Sequence, residues 1–227
     1  MTHTGNVWVV VPAYDEGAVI GDVVGRLRVC YRNVVVVDDC SGDATGPAAG
    51  AAGAMVLRHP INLGQGAALQ TGISYALERG ADSIVTFDAD GQHRVEDIAI
   101  LMDAQLRTGA EVVLGSRFLG SAQNIPPLRR LALKLAVLFA RVTSGVRLTD
   151  AHNGLRLFTR RAALQLRINQ NRMAHASEIT EQIHRLGLSM TEAPVTIVYT
   201  DYSLRKGQKL SNAFTILSEL IVARLNK

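Results

Sequence analysis

The sequence predicts an α/β fold, a mostly parallel central sheet flanked by helices. Short β-branched runs alternate with helix-like segments through the first half of the chain, the pattern of strand–helix–strand units. The runs are apolar without interruption, as strands covered on both faces are. Carboxylates gather where several of the runs end, which is the edge of an open α/β sheet that binds ligands.

The elements follow in order. "VWVVVP" (7–12) opens the sheet, and a helix over about 16–31 leads to "VVVVDD" (34–39). A weaker helix over 43–53, carrying Pro47 and several glycines, precedes "MVLRH" (55–59). A helix over 64–79 leads to "SIVTFD" (83–88), and a helix over 95–108 to "EVVLGS" (111–116). The second half is less regular. A basic amphipathic helix over about 127–143 follows the Pro126-Pro127 entry; "GLRLF" (154–158) reads as a strand and 160–167 as a short helix. A helix near 176–187, a strand "MTEAPVTIVYT" (190–200), a polar basic loop and a closing helix over 210–226 complete the reading. There is no internal repeat and no obvious linker, so 1–227 is expected to be a single domain.

Composition bounds the function. With 227 residues, 48% hydrophobic and 19% charged, the chain can bury a sizeable core. The start lacks the basic n-region of a secretory signal. The longest uncharged stretch, His59–Leu77, is interrupted by Asn62, Gln65, Gln70 and Ser74, short of the roughly 20 apolar residues a membrane span needs. Two cysteines, Cys30 and Cys40, form neither a disulfide framework nor a metal knot, and a reducing cytoplasm is expected. Charge is unevenly spread: residues 1–113 hold 7 Lys and Arg against 14 Asp and Glu, residues 114–227 hold 17 against 6. The basic half is suited to phosphates, a polyanion or an anionic lipid surface.

The central motif is "VTFDADGQH", in which an apolar strand runs into Asp88 and Asp90. Carboxylates one residue apart on a loop are hard oxygen ligands for Mg²⁺ or Mn²⁺, an ion that fills its shell with substrate phosphate oxygens. Gln92 offers an amide oxygen to the same shell. The alternative is a helix-capping Asp with a bystander. Asp38 and Asp39 end the second strand, where acids accept hydrogen bonds from a nucleotide's base or ribose; Ser41 and Asp43 suit helix capping. "NLGQGAAL" (62–69) resembles a phosphate turn but lacks both the full G-x-G-x-x-G pattern and the P-loop lysine. His93 is either a general base or a polar loop residue.

"VVVPAYDE", "VVDDCSGDAT", "NLGQGAAL", "FDADGQH", "GSRF" and "DAHNGLRLFTR", collinear and correctly spaced, resemble family 2 glycosyltransferases. Among these the chain is most similar to the polyprenyl-phosphate glycosyltransferases, of which dolichyl-phosphate mannose synthase is a familiar member. The resemblance covers about 10–160 strongly and continues more loosely to about 210. It implies a GT-A fold, a nucleotide diphosphate sugar donor, a divalent metal (Mg²⁺ or Mn²⁺) and inverting transfer. By position, Pro12, Tyr14 and Glu16 match the nucleotide-facing first loop and Asp39 the position near the base. Asp88, Asp90 and Gln92 match the metal loop, with Asp90 and Arg117 the catalytic candidates. Arg117 matches an arginine on substrate phosphate, Arg129 or Arg130 the arginine of the following helix, and Asp150 and Arg156 the D-x-x-x-G-x-R segment. Residues 1–116 are then the nucleotide- and metal-binding half, and 117–227 the acceptor-side half with amphipathic helices.

The chain also departs from the pattern. Asp15 stands where relatives often have Asn. The C-terminal loop "YTDYSLRKGQKLSNAF" shifts the usual R-x-x-G-x-S-K, leaving Lys206 and Lys209 as counterparts. Many relatives carry transmembrane helices after this loop. Membrane contact is therefore expected to be peripheral, at the cytoplasmic face through residues 128–142, or through a small membrane partner. The expected reaction is sugar transfer to a polyprenyl phosphate. Alternatives are a hydroxyl acceptor on a cell-envelope glycan or exopolysaccharide, a sugar-phosphate nucleotidyltransferase, or a non-catalytic membrane adaptor; no nucleic-acid partner is expected.

Overall fold

The computed structural model describes residues 5–123, 125, 137, 148–150, 153–170, 174–200 and 202–203. Its strands are β1 (Val7–Ala13), β2 (Asn33–Asp38), β3 (Met55–Arg58), β4 (Ser83–Thr86), β5 (Val112–Gln123), β6 (Arg156–Thr159) and β7 (Met190–Val198). The helices are α1 (Ile20–Cys30), α2 (Thr45–Ala51), α3 (Gln65–Glu78), α4 (Glu96–Thr108), α5 (Arg160–Gln165) and α6 (Ala174–Arg185). The strands form one seven-stranded sheet in the order β3-β2-β1-β4-β6-β5-β7. β1 pairs in parallel with β2 and β4, and β2 with β3. β6 is antiparallel to both β4 and β5, and β7 is parallel to β5.

The valine runs explain the double cover. Val9 and Val11 face one side, in a cluster with Val23, Leu27, Ile98 and Leu101 of α1 and α4. Trp8 and Val10 face the other, with Leu69 and Ile73 of α3 and Ile179 and Ile183 of α6. Val9, Val10 and Val11 are all fully buried, and each such side chain contributes about 1.5–3 kcal/mol on leaving water. Helix α3 lies against β1 at Gly72, where a Cβ would come within 2.3 Å of Val10 Cγ1. Only glycine permits that approach.

The expected strands and helices outside the undescribed segments are present, with ends shifted by a few residues. The largest difference is β5. Its reading stopped at Ser116, but the strand continues through Arg117 to Gln123, with a register shift against β7 between Ser116 and Ser121. The division at 116/117 therefore falls inside a strand. Among the described residues no helix is long and apolar enough to cross a membrane. Residues 128–136 and 138–142 of the amphipathic segment, with Arg129 and Arg130, and the C-terminal stretch with Lys206 and Lys209, lie outside the described residues.

Candidate active site

Parallel β1, β2, β3 and β4 all end at the same edge, and their polar termini build the site. After β1 the chain turns at Asp15 (φ 53), and after β2 at Cys40 (φ 64), the non-glycine positive-φ positions among the described residues. Strained backbone of this kind persists where its surroundings over-determine it. Here the two loops are laced together. The Asp15 N–H donates to Ser41 Oγ at 3.0 Å, the Gly42 N–H to Asp15 Oδ1 at 2.8 Å, and the Glu16 N–H to Thr45 Oγ1 at 2.8 Å. Asp43 bridges both loops, accepting from the Gly17 N–H and the Thr45 N–H, each at 2.9 Å. Asp43 thus bonds the N–H of the first residue of α2, but the cap position itself is Ala44 and carries no side-chain bond, while Ser41 stitches the first loop.

The remaining predicted residues of the first half sit as follows. Pro12 is buried within β1 opposite Val37, and Tyr14 is 47% exposed at the rim. Glu16 is buried and accepts from the Tyr202 hydroxyl at 2.8 Å, so the chain after β7 returns to the first loop. Asp38 pairs with Arg58 at 3.0 Å. Asp39 is buried and accepts from the Leu63 N–H (2.9 Å) and the Gly64 N–H (2.7 Å), with His59 Nδ1 at 2.7 Å.

Asp88 and Asp90 follow β4, both partly exposed. His93 Nε2 lies 3.0 Å from Asp88 Oδ2, with the imidazole buried against the Phe87 ring at a centroid distance of 5.4 Å. Its Nδ1 finds no hydrogen-bond partner among the described residues. The Gln92 N–H donates to Asp90 Oδ1 at 3.0 Å, and the Gln92 carbonyl accepts from the Val198 N–H at 2.9 Å, which ties the loop to β7. Burial pushes the Asp88 carboxyl up, but the hydrogen bond and charge of His93, then Arg156 and His175, outweigh it and hold the group below its ordinary value. Asp90 goes the other way, pushed up to about 6 by burial and by the charge of Asp88.

The donor set tests the metal. Two carboxylates that oppose each other's ionisation are stabilised by a cation between them. Asp88 and Asp90 supply hard oxygen donors and fit Mg²⁺ or Mn²⁺ of the kind that takes one or two carboxylates plus substrate oxygens. Among the described residues no group of three or more His, Cys, Asp or Glu forms a complete protein cage.

Beside the acids lies a buried cationic group. Arg117 on β5 donates through Nε to Asp150 Oδ2 at 2.6 Å and through Nη1 to the Tyr199 hydroxyl at 2.8 Å. Burial lowers the Arg117 pKa, yet Asp150 and Tyr199 raise it further, for a net upward shift. Arg156 opens β6 between β4 and β5; its Nη1 is buried with no hydrogen-bond partner among the described residues. Burial lowers the Arg156 pKa against the pull of Asp88 and Asp150. Gly154 joins the acids to this group: a Cβ there would meet Asp88 Oδ2 at 2.1 Å.

Sequence reasoning missed His59, Gln65, His175, Tyr199 and Tyr202. His59 had a usable signal, because it ends its β-branched run just as Asp38 and Asp39 end theirs. The others arrive by long-range folding: Gln65 Nε2 reaches Asp88 Oδ1 at 3.4 Å, and buried His175 comes from α6. A cavity of about 500 Å³ on α3, lined by Leu57, Gln70, Thr71, Tyr75 and Ile168 among others, contains none of the strand-end carboxylates.

The chain is similar to known proteins along most of its length. The chain is 29% identical over 243 residues to the UDP-N-acetylglucosamine–dolichyl-phosphate N-acetylglucosaminyltransferase of Methanococcus voltae, covering 97% of each. It is 35% identical over 201 residues to the undecaprenyl-phosphate mannosyltransferase of Micrococcus luteus, covering 83% of this chain and 82% of that one. The Mycobacterium tuberculosis glucosyl-3-phosphoglycerate synthase, solved with Mn²⁺ and uridine-diphosphate-glucose, superposes with a TM-score of 0.74 at 19% identity. That match covers 98% of this chain and 79% of the synthase, and the shared fold is the expected GT-A fold. The family model described as Glycosyl transferase family 2 matches residues 8–166, more than half of the chain, so the chain belongs to glycosyltransferase family 2 and is an enzyme of that family.

Proposed function

We propose that the chain transfers a sugar from a nucleotide diphosphate sugar to a polyprenyl phosphate. The observation that carries this reading is the juxtaposition of an acidic pair, Asp88 and Asp90, with buried Arg156, whose Nη1 has no hydrogen-bond partner among the described residues. A site with a place for a cation beside a ready-made anion contact suits two phosphorylated substrates. The activities named for the relatives support the same class.

In this reading the first loop, with Pro12, Tyr14 and Glu16, and Asp39 receive the nucleoside. Asp88, Asp90 and Gln92 would hold Mg²⁺ or Mn²⁺, which would supply charge neutralisation for the departing diphosphate. Arg156 and Arg117, with Arg129, Arg130, Lys206 and Lys209 from the undescribed segments, hold the acceptor phosphate as charge-assisted donors. The acceptor oxygen forms the new bond at the anomeric carbon as the bond to the nucleoside diphosphate breaks, with inversion. A phosphate monoester is already anionic near neutral pH and asks for positioning rather than a base. A hydroxyl acceptor would need a carboxylate or histidine base beside it; His93 is buried with Nε2 on Asp88. Peripheral binding to the cytoplasmic face of a membrane, directly or through a small membrane protein, brings the lipid to the site.

The test is a panel of radiolabelled UDP- and GDP-sugars incubated with the full chain, Mg²⁺ and undecaprenyl phosphate. Label from at least one donor should move into the organic phase and be lost with chelator. Label that enters only water-soluble glycan acceptors would overturn the lipid-phosphate reading.

A further inference from the structure

A run of hydrogen bonds links the end of β2 to the middle of α3 through His59, the histidine behind Asp39. His59 is buried at the end of β3, its main chain held by a bond from its N–H to the Asp38 carbonyl at 2.9 Å. Its Nδ1 lies 2.7 Å from Asp39 Oδ1 and its Nε2 3.0 Å from Thr71 Oγ1. An ionised carboxylate only accepts, so Nδ1 donates to Asp39, while Nε2 and the Thr71 hydroxyl bond to one another. Asp39 offers about four acceptor positions. The imidazole and the N–H groups of Leu63 and Gly64 occupy three of them. Gly64 is the residue from which α3 starts, in the left-handed half of φ at 93°.

We propose that His59 is a positioning residue for the donor nucleotide. Held between Asp39 and Thr71, the imidazole fixes the plane of the Asp39 carboxylate and leaves it one acceptor position, for a single N–H or O–H of the nucleoside. The same carboxylate holds the turn at Leu63 and Gly64, so the nucleoside contact and the entry to α3 are set together. This inference rests on the donor reading above, in which Asp39 meets the nucleoside.

Calorimetric titration of the full chain with UDP and with GDP, each with Mg²⁺, tests it alongside melting temperatures. His59→Ala should weaken binding of the preferred nucleotide about tenfold, the scale expected when the partner of a ligand-contacting group is removed. His59→Asn places an amide N–H where Nδ1 was and should stay within about threefold of wild type. His59→Gln reaches toward Thr71 instead and should resemble His59→Ala. If Asn and Gln lose affinity equally, or losses merely follow the melting temperature, His59 only holds the fold and the inference is overturned. Wild-type affinity in His59→Ala overturns it as well. A wild-type chain that binds neither nucleotide sinks the donor reading itself and this inference with it.

Discussion

The two sides of the site are built by different means. The acidic side lies at the ends of parallel β1, β2 and β4, where the carboxylates stand at the strand end or within four residues of it and are fixed mostly by neighbouring loops. The cationic side depends on β6, which inserts antiparallel between β4 and β5 and carries Arg156 to Asp88 across 68 residues of sequence. Arg117 is likewise fixed by Asp150, 33 residues on, and by Tyr199, 82 residues on. Local chemistry therefore governs the first side and topology the second. A substitution among the acids should strike chemistry with little effect on folding, whereas one among the arginines should strike both.

The largest effect is expected on the acidic side. Asp90→Ala removes a carboxylate from a turn without disturbing the sheet, and should cost about a thousandfold in kcat, the scale of losing a main electrostatic stabiliser. Its melting temperature should stay near that of wild type. Transfer measured over a range of Mg²⁺ concentrations checks this, and a variant that keeps full activity in chelator would remove Asp90 from the metal site.

Next comes the point where the two sides touch. Gly154→Ala would drive a methyl group to within 2.1 Å of Asp88 Oδ2, so the carboxylate or β6 has to shift. A displacement of about 1 Å at a reacting centre costs on the order of a hundredfold. Overpacking itself destabilises by about 1–3 kcal/mol. Activity should thus fall much further than stability. Equal, small changes in both would mean that Asp88 tolerates the move and that the junction is loose.

The acidic side was largely legible in the sequence, and the contrast above explains why. "VVVVDD" and "VTFDAD" place strand and acid within one window, so period and chemistry are read together. The partner of an arginine is not readable that way. Nothing near Arg117 announces Asp150 or Tyr199, and β5 was read as ending just before it because Leu119, Gly120 and Ser121 carry no β-branched signal. The long strand persists there through pairing with β7. Gln65 escaped for a third reason: its role depends on the turn that starts α3, which the sequence marks only by glycines, whereas His59 stood in view at the end of its β-branched run.

Arg117 allows stability and function to be separated on the cationic side. Arg117→Ala leaves buried Asp150 without its ion partner, and breaking such a pair costs about 3–5 kcal/mol. Use of the lipid phosphate should also fall, by about tenfold, for the loss of one charged hydrogen bond. The double variant Arg117→Met with Asp150→Leu should recover much of the stability, since a well-packed apolar pair replaces a buried ion pair at little cost. It should not recover transfer. If it does, Arg117 supports the fold and leaves the acceptor to Arg156.

The smallest effect sharpens the comparison from the far end of the chain. Tyr202 reaches back over a sequence separation of 186 residues to donate to Glu16 at 2.8 Å, so the acidic side also has topological contacts, this one and the Val198–Gln92 bond that ties the Asp88–Gln92 loop to β7. Tyr202→Phe removes a single hydrogen bond and should raise the donor KM by roughly threefold, with kcat little changed. It should also alter the alkaline limb of stability. Burial first, then the bond and charge of Glu16, raise the Tyr202 pKa above its ordinary value of 10.0. The folded state then keeps the phenolic proton where the unfolded chain releases it. The contribution is present below about pH 10 and is lost as pH rises toward the folded pKa. Melting curves between pH 9 and 11, on the order of that window, should therefore fall less steeply for Tyr202→Phe than for wild type. Parallel curves would mean that the tail does not hold the first loop in solution.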